Sequence, residues 1–190
     1  MSDSEFLFAV NGEGGPLLCM DAQAASEWRG AQDGSSDYSE LCARFDADPD
    51  ADVVAVRLAG LRCIAWEMRG AGTADVFIGD DGVIRVVRAW LADARTELLG
   101  ELAKMRPIVA KPTGEIDVPS GALVILWSPE SGLAARIERA ERFRVVPETS
   151  IAESAFVLRV SSGTYTCLDE RVAIGESEAR RLALARRSLA

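Results

Sequence analysis

Val53-Val54-Ala55-Val56-Arg57-Leu58-Ala59-Gly60-Leu61-Arg62-Cys63-Ile64-Ala65-Trp66-Glu67 is the stretch that decides the fold. Two apolar runs flank Ala59-Gly60, the spacing of a tight β-hairpin. A second hairpin follows, with residues 75–79 and 83–90 on either side of Asp80-Asp81-Gly82. Asp-Gly supplies its turn. Arg85 and Arg88 break strict alternation in the second arm, as a bulge or a frayed end would.

Working outward, residues 6–10, 17–20, 122–127, 143–146, 155–160 and 164–168 read as further strands. Ser161-Ser162-Gly163 reads as a hairpin joining the last two. Asp21 is placed to cap a short helix running to Trp28 and ended by Gly30. Ser36 or Asp37 caps a second helix through Phe45, with Tyr38, Leu41, Cys42 and Phe45 on one face. Residues 91–105 carry a helical stripe of Leu91, Ala94, Leu98, Leu102 and Met105. Ser128-Pro129-Glu130 reads as a helix start, with Leu133, Ile137 and Ala140 as its apolar face. Residues 176–190 fit a terminal helix, acidic at its start and rich in arginine near its end. Pro107, Pro112 and Pro119 mark a long connection with one edge strand.

The sum is an α+β fold: a mainly antiparallel sheet built from hairpins, with flanking helices. Residues 53–90 followed by a helix, and 155–168 followed by a helix, look like two related halves. Residues 1–190 are expected to form a single domain, with 106–121 as the joint if there are sub-domains.

Composition narrows the chemistry. The 190 residues include 21 basic and 30 acidic side chains and no histidine, for a net charge of −9. Residues 1–60 hold 12 acids against three bases, and residues 61–190 hold 18 of each, so all the excess sits in the first third. The lack of histidine removes Ser-His-Asp and Cys-His catalysis and histidine-ligated zinc. Net acidity argues against a nucleic-acid partner, which calls for a basic stripe. The start, Met1-Ser2-Asp3-Ser4-Glu5, lacks the basic and then apolar pattern of a secretory signal, and no apolar run is long enough for a bilayer. A cytoplasmic protein is the expectation. Cys19, Cys42, Cys63 and Cys167 are widely spaced, without CxxC, and read as small buried hydrophobes.

Several stretches invite a chemical reading. Asp46-Ala47-Asp48-Pro49-Asp50-Ala51-Asp52 starts like an EF-hand loop. However, Ala51 stands at the glycine position and Arg57 at that of the bidentate glutamate, so a solvated acidic loop is expected and no metal. Asn11-Gly12-Glu13-Gly14-Gly15-Pro16 has no lysine, and Glu13 would repel a phosphate, so it reads as a turn. Asp80 and Asp81, at a hairpin tip, read as turn residues rather than an acid–base pair. Arg136, Arg139, Arg142 and Arg144 alternate with Glu138 and Glu141, as on a salt-bridged surface helix. Arg180, Arg181, Arg186 and Arg187 suit an acidic partner or the chain's own acidic third. Trp28, Trp66, Trp90 and Trp127 are core anchors by default. Trp28, beside Arg29 and Tyr38 in the acidic third, also has the character of an interaction hot spot.

The opening strand followed by Gly14-Gly15-Pro16-Leu17-Leu18, then Trp28-Arg29-Gly30, then Asp37-Tyr38, resembles the immunity protein 21 family of bacterial polymorphic-toxin systems. Leu123-Val124-Ile125-Leu126 and Gly163-Thr164-Tyr165 are similar in character to its later part, so the resemblance spans residues 6–170. It implies a non-catalytic protein that binds and neutralises a cognate toxin, without a cofactor. The concentrated negative charge independently suits a basic partner such as a nuclease. Trp28, Asp37, Tyr38, Asp46, Asp48, Asp50 and Asp52 are the candidate contacts. The alternatives are a metal-dependent enzyme using Asp and Glu carboxylates, and a structural subunit of a larger assembly, with a homodimer as one form.

Overall fold

Ala59 and Gly60 both have positive φ, 51° and 75°, as a two-residue type I′ turn requires. They join β3 (Val53–Leu58) to β4 (Leu61–Trp66), paired from Leu58↔Leu61 to Val53↔Trp66. The second hairpin joins β5 (Gly72–Gly79) to β6 (Ile84–Arg88), with Gly82 at φ 71° in its turn. The computed structural model describes residues 4–12, 15–32, 34–67, 72–88, 95–132, 143–145, 155–174 and 177–187.

These hairpins belong to two different six-stranded sheets. The first runs β1 (Ser4–Gly12), β5, β6, β12 (Ser177–Arg186), β11 (Gly163–Ile174), β7 (Val109–Val118). The second runs β3, β4, β2 (Leu17–Asp21), β8 (Ala122–Trp127), β10 (Ala155–Arg159), β9 (Phe143–Val145). Neighbouring strands are antiparallel in both sheets. The expected α+β class with a mainly antiparallel sheet therefore holds.

The sheets pack face to face. Leu17, Cys19, Ile64, Leu123, Ile125, Phe156 and Leu158 of the second sheet meet Val76, Ile84, Val86, Ile116, Cys167, Leu182 and Leu184 of the first. Because side chains alternate along a strand, the other half of each strand points outward. Those outward faces are covered too. Leu18, Met20, Ala65, Val124 and Leu126 pack against α1 (Ala22–Ala25), Trp28 and α2 (Asp37–Ala47). Phe77, Val87, Val172 and Ala179 pack against Leu102 and Ala103 of α3 (Arg95–Lys104). The result is four layers: helices, sheet, sheet, helix.

Asp21 shows how the layers are tied. It is fully buried, and its Oδ1 accepts the Gln23 amide as the N-cap of α1. Its Oδ2 accepts both the amide and the hydroxyl of Ser120, on the crossover from β7 to β8.

Several expectations are corrected. Residues 177–186 are strand β12, not a terminal helix, because they lie hydrogen-bonded between β6 and β11. Ser161-Ser162-Gly163 is a crossover between the sheets, not a hairpin: β10 pairs with β8 and β9, whereas β11 pairs with β7 and β12. With the second helix absent, the likeness between two halves lapses. The first helix is shorter than expected, stopping at Ala25. The proline-rich stretch does hold an edge strand, β7, in which Pro112 pairs with Leu168 and Thr113 is left over as a bulge. The helix start at Ser128 continues only as turn through Gly132, and its apolar face Leu133, Ile137 and Ala140 lies outside the described residues. So do Glu13, Trp90, Leu91, Ala94, Arg136, Glu138, Arg139, Glu141 and Arg142; Arg144 is in β9.

Candidate interaction surface

α2 presents two faces. Leu41 and Phe45 are buried against the second sheet, each stabilising by about 2 kcal/mol. Glu40, Arg44 and Asp46 are exposed on its flanks, and the exposed Asp48, Pro49 and Asp50 continue the acidic stretch past the helix end. Among the described residues, the side chains of Asp46, Asp48 and Asp50 make no ion pair or hydrogen bond. Asp46 and Asp48 also lie by the negative end of the helix dipole, where no cation offsets them beyond Arg44.

The three stretches behind the family resemblance converge beside this helix. The Asp37 carboxylate accepts the Arg29 amide at 2.9 Å, and the Tyr38 amide donates to the Gly30 carbonyl at 3.3 Å. The Tyr38 hydroxyl sits 2.9 Å from where a Cβ on Gly15 would lie, so a larger residue there would collide with it. Gly30 has φ 62°, and a side chain on it would strike the carbonyl oxygens of Pro129 and Glu130. Burial raises the half-buried Tyr38 phenol to about 12, and Cys42 beside it adds to the shift.

Trp28 lies beneath the surface rather than on it. It is 3% exposed, and its indole Nε1 donates to the Ser128 carbonyl at 2.9 Å. A small cleft of about 120 Å³ opens above Trp28 and Leu41, between α2 and β3, with Asp37, Glu40, Arg44 and Arg57 around it. Asp52 is not part of the exposed acidic stretch. It pairs at 2.7 Å with Arg180, which also bonds Asp169 at 2.9 Å. One of the C-terminal arginines thus does meet the acidic third of its own chain.

Two ion-pair clusters have only a faint sequence signature. Arg62 of β4 bonds Glu115 and Asp117 of β7 and the Thr164 hydroxyl, fastening one sheet to the other. The Asp117 carboxyl is held down at about 2, first by hydrogen bonds from Arg62. Arg181 of β12 pairs with Glu170 beneath α3 and donates to the carbonyls of Leu102 and Ala103 in its last turn. The signal for each was a lone or doubled arginine inside an otherwise apolar strand: Arg62 in β4, Arg180-Arg181 in β12.

The remaining chemical candidates are structural. Asp81 accepts the Val83 amide and pairs with Arg85 at 2.6 Å, which lowers its carboxyl below the ordinary range. Cys19, Cys63 and Cys167 are buried and free, and burial raises all three thiols, the latter two to about 12. Such thiols are protonated and weakly reactive. Among the described residues no three Cys, Asp or Glu side chains gather into a metal-holding group. Among the described residues no helix is long and apolar enough to cross a membrane. In comparisons with known proteins, no family model, no curated protein and no solved structure matches the chain.

Proposed function

We propose that the protein is a non-catalytic binding protein of the bacterial immunity type, which captures a basic toxin domain such as a nuclease on the acidic surface of α2. One observation carries the reading. Asp46, Asp48 and Asp50 are exposed and unpaired among the described residues. Unpaired carboxylates project a field that speeds encounter with a cationic partner and disfavours acidic ones. Asp37 and Glu40 border the same surface, Trp28 supports it from below, and the half-buried Tyr38 packs beside Gly15 at the start of the helix. Asp52, engaged by Arg180, is left out of the contact set.

The test is capture of the toxin domain encoded by the adjacent gene, followed by kinetics at low and high salt. Asn at positions 46, 48 and 50 together should slow association about tenfold or more at low salt and flatten the salt dependence. No complex with that domain at any salt would sink the immunity reading. A complex indifferent to salt and to the triple variant would remove the acidic surface from it.

A further inference from the structure

A second feature lies far from α2 in the layer order, between the two sheets. At the end of the sandwich formed by the β5–β6 turn and the β10–β11 crossover, the inner faces part around a cavity of about 880 Å³. This is within the usual range for sites that enclose a small organic molecule, roughly 300–1,000 Å³. Ile78, Ile84, Leu158 and Val160 give it apolar walls continuous with the inter-sheet core.

Its polar groups are few and their charges do not balance. The Tyr165 hydroxyl donates to the Ser161 carbonyl at 2.7 Å. Asp81 is neutralised locally, since both its oxygens bond the Arg85 guanidinium, at 3.1 and 2.6 Å. Arg186, directly across the strand pair from Tyr165, donates to the neutral Ser162 carbonyl at 2.9 Å and meets no carboxylate among the described residues. Arg159 touches only the rim, since it lies out of phase with the inward-facing Leu158 and Val160 and shares the outer face with its cross-strand neighbour Ala122. The mouth therefore carries one guanidinium charge, that of Arg186, with no carboxylate on it among the described residues.

We propose that this cavity binds one amphipathic organic anion: a carboxylate on a hydrocarbon or aryl body. Apolar walls reward removal of the body from water. An arginine guanidinium offers a carboxylate paired N–H donors in matching geometry. A neutral hydrocarbon would leave Arg186 uncompensated, and a metal cation would be repelled by it.

Isothermal titration of the full chain with dodecanoate, below its micelle concentration, tests the proposal. The expected result is saturable binding at one site, with dodecanol binding at least about tenfold more weakly. Arg186→Gln should weaken dodecanoate about tenfold or more while leaving the thermal midpoint nearly unchanged, since Arg186 has no carboxylate partner to lose among the described residues. Val160→Trp, which fills the mouth from a half-buried position, should abolish binding in a chain that still melts cooperatively. Absence of saturable dodecanoate binding overturns the proposal. So does equal binding of dodecanol, or full retention of binding in Arg186→Gln.

Discussion

Arg181 is 2% exposed, so the protein around it has to supply every partner of its guanidinium. It does so with Glu170 and with two carbonyls at the end of α3, groups that otherwise lack helical donors. Arg181→Ala should cost about 3–5 kcal/mol in urea unfolding, because Glu170 is then left buried and unpaired. Arg181→Met combined with Glu170→Leu should recover most of that loss, since an apolar pair of similar volume avoids the desolvation of both charges. Asp117 behaves differently, being only half-buried. Its folded-state value, about 2, lies below its ordinary 3.8. The stability it contributes is therefore complete above the ordinary value and drains away as pH falls toward about 2. Urea midpoints measured between neutral pH and pH 2 should fall more steeply in the native chain than in Asp117→Asn. Parallel curves would mean that the clamp on Arg62 adds nothing to folding.

The elements that could be read from the sequence are those whose cause is local. Ala59-Gly60 and Asp80-Asp81-Gly82 are turns by their own backbone chemistry, and both hairpins are where that chemistry puts them. Ala59 still carries the penalty of a Cβ at φ 51°, so Ala59→Asn should stabilise the protein by about 0.5–1 kcal/mol; a lower thermal midpoint would contradict the turn geometry. Gly30→Ala is the converse case. It combines left-handed strain with a collision against the 129–130 backbone and should cost about 2–4 kcal/mol. What could not be read depends on distant partners. In β12, Ala179, Arg181 and Ala183 face α3 while Leu182 and Leu184 face the inter-sheet core. With both faces buried, the period-two signal vanishes, and the Ala, Leu, Arg and Glu content favours a helix; tertiary pairing overrides that preference. The Ser161–Gly163 crossover was hidden for a related reason: turn residues announce a change of direction but not which sheet the next strand joins. At the candidate surface, the acids and Tyr38 were legible by type. The burial of Trp28 was legible only as the default for a tryptophan, and the pairing of Asp52 only as a general option for the C-terminal arginines, because the partners Ser128 and Arg180 are remote in sequence.

At the scale of the whole molecule, burial on both sides distinguishes the central strands. β2 and β8 each contribute to the inter-sheet core and to the core under α1 and α2. Their amides should show the slowest hydrogen exchange among the described residues, and the exposed start of β7 among the fastest strand exchange. The sheet order also has a temporal meaning. In the first sheet the strand nearest the C-terminus, β12, lies in the interior, joining the β5–β6 hairpin to the β7–β11 pair. A ribosome that has delivered residues 1–176 has therefore made ten or more strands of a sandwich that has no means of closing. The nascent chain must hold the apolar faces of the first sheet apart from other chains until residues 177–186 emerge. Nascent chains stalled with only residues 1–176 outside the ribosome should be cleaved rapidly by a protease, and chains stalled with residues 177–186 also exposed should resist it.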